Sequence, residues 1–357
     1  MPFDTHPAHF TEQRMTTERL TTELEDILRA GDIIRYGGLV AFPTETVYGL
    51  GANALDAEAV RSVYAAKGRP SDNPMIVHIA EREDLEPLIR GGLGSLSEDA
   101  VKAMDAFWPG PLTMIFHKSD AVPDATTGGL DTVAVRMPSN RTAYMLIAAS
   151  LRPIAAPSAN LSGKPSPTTA EDVLEDMDGR IDAVIMGEQC EVGIESTVLD
   201  LTGEVPTILR PGIVTKEELT EALGREVVYY NGLLEKPAET ADPEDGVADT
   251  DFKPKSPGMK YRHYSPKAKV VLIEGNREEF TEKAKAIGIE AIHNGMKPAV
   301  LDYRGNERTA AHDLFADLRK FDRQGYDLIL IRTLEESGLG FSVMNRMLKS
   351  AGYDVVK

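Results

Sequence analysis

Pro43-Thr44-Glu45-Thr46-Val47-Tyr48-Gly49-Leu50-Gly51 places two hydroxyls and a carboxylate directly after the apolar run Leu39-Val40-Ala41-Phe42, where side chains and open backbone N–H groups can face a ligand. Thr44 is the candidate ligand group; the competing reading is a strand-to-helix loop whose threonines only satisfy nearby backbone. Lys67-Gly68-Arg69-Pro70-Ser71-Asp72-Asn73-Pro74 then gathers two cations, a hydroxyl and an amide in a loop shaped by glycine and prolines. Lysine brings a compact charge and arginine a planar fork, a pairing that suits a polyphosphate. The Walker run Gly-x-x-x-x-Gly-Lys-Ser/Thr is absent, and a solvated basic loop is the plain alternative. In Asp131-Thr132-Val133-Ala134-Val135-Arg136-Met137-Pro138 a period of two sets Thr132, Ala134 and Arg136 on one strand face. Arg136 therefore faces either solvent or a cleft, where it could clamp a carboxylate.

Ala155-Ala156-Pro157-Ser158-Ala159-Asn160 and Ser162-Gly163-Lys164-Pro165-Ser166-Pro167 collect small polar groups that allow close approach to a ligand. Without a Gly-x-Ser-x-Gly elbow, Ser158 reads as a hydrogen-bonding serine and not a nucleophile. Glu195-Ser196-Thr197 and Leu209-Arg210-Pro211-Gly212 repeat the pattern of polar groups at a strand end. His78 alone reads as a satisfied core histidine, Trp108-Pro109-Gly110-Pro111 as a packed turn, and Cys190, with no His near it in sequence, as a buried or incidental thiol.

Such groups need rigid elements to hold them. Apolar residues recur at helical spacing over 20–35, through Leu24, Ile27, Leu28 and Ile34, until Gly37-Gly38 breaks the pattern. Strands are expected at 39–42, 75–79, 112–116, 132–137, 153–156, 183–186, 197–201 and 207–209, with a helix at 57–66. After Val228 the composition shifts: 236–251 is rich in Asp, Glu, Pro and Ala and cannot build a core. A tail at 1–17, a first domain at 18–228, a linker at 229–266 and a second domain at 267–357 follow. In the second domain, strand patterns at 270–273, 299–301 and 328–331 alternate with helical ones at 278–286, 310–321 and 342–350, which argues a small, mainly parallel α/β unit. It carries no Gly-x-Gly-x-x-Gly turn, so dinucleotide binding there is unsupported.

Composition narrows the class. At 357 residues two domains are favoured. No run is apolar and long enough to span a membrane, and the N-terminus lacks a secretory pattern, so a soluble cytoplasmic protein is expected. One cysteine excludes an internal disulfide. A formal charge of −18 repels a nucleic-acid backbone in bulk, yet leaves room for a small anion held by a few convergent cations.

In order and spacing, Pro-Thr-Glu-Thr-Val-Tyr-Gly-Leu-Gly, Lys-Gly-Arg-Pro-x-x-Asn-Pro, Trp-Pro-Gly-Pro-Leu-Thr, Val-Ala-Val-Arg-Met-Pro, Ala-Pro-Ser-Ala-Asn and Glu-Ser-Thr-Val together resemble one family, the threonylcarbamoyl-AMP synthases or YrdC-like enzymes. The resemblance covers about 20–224. Ser256-Pro-Gly-Met-Lys-Tyr-Arg-His-Tyr-Ser-Pro266, followed by an α/β domain, is similar to the two-domain branch. This implies an α/β protein in which a YrdC-like twisted mixed-sheet domain precedes a smaller Rossmann-like one. The implied activity is that of a nucleotidyltransferase converting L-threonine, bicarbonate or CO2 and ATP, with Mg2+, to threonylcarbamoyl-AMP and pyrophosphate. The product would pass, through transient contact with the transferase machinery, to the adenosine beside the tRNA anticodon. Motif by motif, the resemblance assigns Lys67 and Arg69 to catalysis and Thr44, His78, Arg136, Ala156 and Ser196 to threonine. It assigns Lys67, Ser71, Thr132, Ser158, Asn160, Ser166 and Arg210 to ATP, with Tyr261, His263 and Tyr264 closing over the nucleotide. The acidic stretch 238–251 has no counterpart in this pattern. The alternatives are an RNA-binding YrdC-like protein without adenylating activity, which the charge disfavours, and a carbamoyl-transfer maturation domain, which the single cysteine disfavours.

Overall fold

The computed structural model describes residues 16–231, 233–234 and 263–357; Tyr261 and the acidic stretch 238–251 lie outside the described residues. Among the described residues, eleven strands build the sheet of the first domain. They are β1 (Glu18–Leu20), β2 (Val40–Phe42), β3 (Gly49–Asn53), β4 (Ile76–His78), β5 (Leu112–His117), β6 (Thr132–Arg136), β7 (Ile154–Ala155), β8 (Ala183–Ile185), β9 (Thr197–Asp200), β10 (Thr207–Arg210) and β11 (Val228–Tyr229). Their order is β1-β8-β2-β3-β7-β4-β6-β5-β9-β10-β11, with parallel and antiparallel pairs mixed.

The two-residue period of these strands sorts their side chains into layers. Ala41, Val77, Met114, Val133, Val135, Val184, Leu199 and Ile208 share one core on one face. On the other face Val40, Phe42, Ile154, Ala183 and Ile185 pack with Ile27, Ile34, Leu146 and Ile147, so the Leu24–Arg35 and Arg141–Ser150 helices cover one half of it. The other half has only a small cluster, Ile76, Ile115, Ala134, Val198 and Leu209. That part of the sheet is left for a site.

The second domain has, among the described residues, β12 (Lys269–Ile273), β13 (Pro298–Leu301), β14 (Leu328–Arg332) and β15 (Val355–Val356), all parallel, in the order β13-β14-β12-β15. The Arg277–His293 helix packs on one face, the Glu307–Arg323 and Gly338–Ser350 helices on the other. Asn276 starts the first of these with a reciprocal cap: it accepts from the Glu278 and Glu279 amides, and Glu279 accepts from its own.

The domains share a core. Val47, Ile194 and Tyr264 belong to the same apolar cluster as Phe315, Leu318 and Val343. Polar contacts reinforce it: Arg319 donates to the Pro165 carbonyl at 2.7 Å and pairs with Asp176 at 2.8 Å, Ser342 donates to Gly212 O at 2.7 Å, and Tyr229 stacks on Phe341 at 4.2 Å.

Some expectations need correcting. The first helix starts at Leu24, and Leu24 and Leu28 are 61% and 51% exposed; Ala30, with Ile27 and Ile34, takes the core face instead. Thr17, placed in the tail, is buried and donates to Ile181 O at 2.9 Å. Tyr229, placed in the linker, ends the sheet beside Ile208. Residues 49–53 form a strand although their sequence lacks β-branched residues. Glycine is needed here, since a Cβ on Gly51 would lie 2.8 Å from Ile154 and 2.9 Å from Phe42.

Candidate active site

Sheet register assembles the floor of the site. His78 in β4 pairs with Arg136 in β6, and Arg136 with Thr113 in β5, so three side chains from separate strands lie in one row on the half-covered face. Arg136 is 3% exposed. Its Nε donates to Gly110 O at 3.2 Å, Nη1 to Thr46 Oγ1 at 2.9 Å, and Nη2 pairs with Glu45 Oε1 at 2.7 Å. A guanidinium has five N–H donors, so the second hydrogens of Nη1 and Nη2 are left to meet a carboxylate. Burial pushes the Glu45 carboxyl up, but Arg136 outweighs this and holds it below its ordinary value. Burial, with Arg136 beside it, lowers His78 to about 3, and its Nδ1 lies 3.1 Å from Ile76 O. His78 is thus a neutral imidazole at the floor.

The 43–48 loop joins β2 to the antiparallel β3 and does not lead into a helix. Thr44 Oγ1 donates to Val47 O at 2.7 Å and accepts from the Thr46 and Val47 amides, which folds the loop on itself. The local-satisfaction reading of these threonines therefore holds. Thr44, Thr46 and Val47 all line the pocket.

Further basic groups surround this row, and Arg210 belongs to it, since Thr113 and Arg210 both pair with Val198 of β9. Lys67 ends the Ala57–Lys67 helix, whose N-cap Asp56 accepts from the Glu58 and Ala59 amides. Its Nζ is buried and donates to the Ser158 and Asn160 carbonyls, which pins the 158–160 loop beside β3. Arg69 donates to the Asn73 and Pro74 carbonyls, and burial lowers it to about 10. Arg210, also lowered to about 10 by burial, reaches Ser196 O and Ser196 Oγ at 3.0 Å each, and that hydroxyl lies 2.8 Å from Thr113 Oγ1. His263 is pushed well below its usual value, by burial first and then by Lys349, Arg69, Lys67 and Arg210. Two arginines and two lysines crowd one buried, neutral ring, and burial first of all lowers both lysines too, Lys349 to about 7. A field of this kind calls for an anion, within a chain whose net charge is −18.

Of the expected site residues, the pocket brings together Thr44, Arg69, His78, Arg136, Ala156, Ser158, Ser196, Arg210, His263 and Tyr264. Lys67, Asn160 and Ser166 stand behind the lining: Asn160 donates to Leu161 O and Lys164 O, and Ser166 to Glu195 Oε1 at 2.5 Å. Ser71 is exposed on its loop, and Thr132 lies at the far end of β6, about 13 Å along the strand from Arg136. Tyr261 lies outside the described residues. Sequence reasoning missed Glu45 and Thr46 as the brace of Arg136, Thr113 as the partner of Ser196, and Glu195 as a lining residue. The first two stood inside the quoted turn and Glu195 beside Ser196. Thr113 becomes visible only through strand register.

Residues 32–212 match the family model described as Telomere recombination, Sua5_yciO_yrdC, and residues 214–352 the one described as Threonylcarbamoyl-AMP synthase, C-terminal domain. A threonylcarbamoyl-AMP synthase from Pyrococcus abyssi is 47% identical over 92% of this chain and 94% of its own, and one from Bacillus subtilis 42% identical over 96% and 97%. This chain belongs to the threonylcarbamoyl-AMP synthase family. The crystal structure of P. abyssi Sua5 complexed with L-threonine superposes with a TM-score of 0.85 at 45% identity, covering 96% of this chain and 99% of that one. Like that Sua5, this family member carries both domains. No helix among its described residues is long and apolar enough to cross a membrane.

Proposed function

We propose that this protein is an L-threonylcarbamoyladenylate synthase, and that its pocket has an amino-acid half and a nucleotide half. The observation that carries this reading is the buried contrast between two parts of one lining. One part holds Arg136 braced by Glu45 and Thr46 beside neutral His78; the other gathers Arg69, Arg210 and, behind them, Lys67 around His263. Threonine's carboxylate would take the two remaining guanidinium hydrogens of Arg136, with Thr44, Ala156 and Ser196 around its other groups. Its amine would react with bicarbonate, losing water, to give a carbamate. A carbamate oxygen would then form a bond to the α-phosphorus while the α–β bridge breaks and pyrophosphate leaves. Negative charge builds on the phosphates, where fixed cations lower the barrier, and no side-chain nucleophile is required.

Mg2+ would travel with the nucleotide. Among the described residues no three His, Cys, Asp or Glu side chains converge to hold a metal, and the pocket carboxylates Glu45 and Glu195 are each tied to an arginine. A magnesium ion kept by phosphates and water fits that donor set. The space left inside the pocket is about 60 Å3, well under the roughly 300–1,000 Å3 of sites that hold small molecules. His263 and Tyr264 would therefore swing aside to admit ATP and return over it. The product would then pass to the machinery that transfers the threonylcarbamoyl group to tRNA.

The test is pyrophosphate release from ATP. It is expected only when L-threonine and bicarbonate are both present, and Lys67→Ala or Arg136→Ala is expected to abolish it. Equal release with serine, or with no amino acid, would remove the threonine assignment. Salt-sensitive tRNA binding by the nucleotide-free protein, without such release, would favour the RNA-binding alternative.

A further inference from the structure

Arg346, on the Gly338–Ser350 helix of the second domain, is fully buried and heads the largest buried side chains of the described residues. Its Nε lies 3.2 Å from Glu195 Oε2, and its other nitrogens bond to Pro211 O, Ser342 O and Glu195 O. Glu195 lines the pocket from the far side of this pair. Its Oε1 accepts from Ser166 Oγ at 2.5 Å, and its charge is felt by the nearby Tyr264 phenol, which burial and Glu195 push up to about 12. Burial would push Glu195 up, but Arg346 and then Arg210 outweigh it and keep the group ionised. A carboxylate engaged in this way by three segments of chain anchors its neighbours and is not available as a base.

We infer that Arg346 is a positioning residue of the active site: holding Glu195 from behind, it fixes Ser166 and Tyr264 on the nucleotide side. The inference rests on the nucleotide half assigned above. A second hold on the same loop comes from Arg319, which donates twice to Pro165 O, next to Ser166. The second domain thus braces from behind one side of a pocket that is lined by the first domain together with His263 and Tyr264. The carboxylate clamp of the amino-acid half is braced separately, because the bonds of Arg136 run to Gly110, Thr46 and Glu45 and none reaches Glu195 or Arg346.

Affinities for a non-hydrolysable ATP analogue and for L-threonine, each titrated alone into the full-length protein by calorimetry, test this. Arg346→Lys keeps the charge and loses the fork. It is expected to weaken the ATP analogue at least tenfold and leave threonine within threefold. The double variant Glu195→Gln/Arg346→Met removes both charges of the pair together, and is expected to show the same split at a near-native melting temperature. Arg323→Ala removes an interdomain pair with Asp172 away from the pocket and is expected to change neither affinity. Parallel weakening of both ligands in Arg346→Lys, or an unchanged ATP affinity in the double variant, would overturn the inference. So would failure of both variants to fold, which would assign the pair to folding alone. A wild-type protein that bound neither ligand would instead sink the functional reading.

Discussion

His78 illustrates how one side chain changes meaning between sequence and structure. Alone it reads as a core histidine, and it is one: 4% exposed, neutral, and set against a carbonyl. Register with Arg136 then puts it on the floor of the pocket as well. Its titration gives a signed prediction. The folded value of about 3 lies below the unfolded value of about 6.5, so the unfolded chain takes up the proton first. The stability tied to keeping His78 neutral is fully present above pH 6.5 and is lost as pH falls from there towards 3. Denaturant melts across this window should show wild type losing stability faster than His78→Asn, by up to about 1.4 kcal/mol per pH unit. Identical slopes would mean that His78 is charged in the native state. Lys67 carries a similar lesson: the sequence marks it as a cation for the site, but burial lowers it well below the usual lysine value and its Nζ holds two loop carbonyls behind the lining. Which atoms a charged group reaches is decided by the fold around it, and spacing along the chain does not encode this.

Loops fixed by close approach set the geometry between elements. Gly193 has φ +82°, and a Cβ there would come within 2.3 Å of His312 O and 2.5 Å of Ala311 O in the second domain. Gly193→Ala would wedge the Glu307–Arg323 helix away from the segment that carries Glu195. A loss of about 1–3 kcal/mol in a denaturant melt is expected, together with weaker binding of the ATP analogue. An unaltered melt would show that the interface yields without cost. At this scale most strands were legible, because short apolar runs such as 112–116 and 132–137 end at prolines, glycines or polar clusters. The exceptions have physical causes. β3 is rich in glycine because Phe42 and Ile154 crowd it, so it imitates a turn; β1, β11 and β15 have two or three residues each, too few for a period to show. Arg346 lay in a recognised helical stretch, but nothing in an amphipathic pattern says which buried arginine will meet a carboxylate 151 residues away.

Taken as a whole, the molecule is two sheets joined through a common core. Tyr264 stacks on Phe315 at 5.0 Å within the cluster that also contains Val47 and Ile194. Phe315→Ala should therefore destabilise more than its own domain. A loss of about 3–5 kcal/mol is expected, with the main calorimetric transition staying single as it moves to lower temperature. Early melting of a separate second-domain transition, with the first left unmoved, would contradict a shared core. Length and the composition shift after Val228 foretold two domains; they did not foretell that the second would brace the pocket of the first from behind.

The Glu195–Arg346 pair also bears on how such a chain can diverge. Its halves lie in different domains, so a chimera that joins the first domain of this protein to the second domain of a relative inherits a matched pair only if the incoming helix supplies an arginine at the same place. Otherwise a buried carboxylate arrives without its counter-ion, which costs about 3–5 kcal/mol. Loss of either partner would leave the other's charge buried alone, so the two domains must match at this point even though each has a sheet of its own.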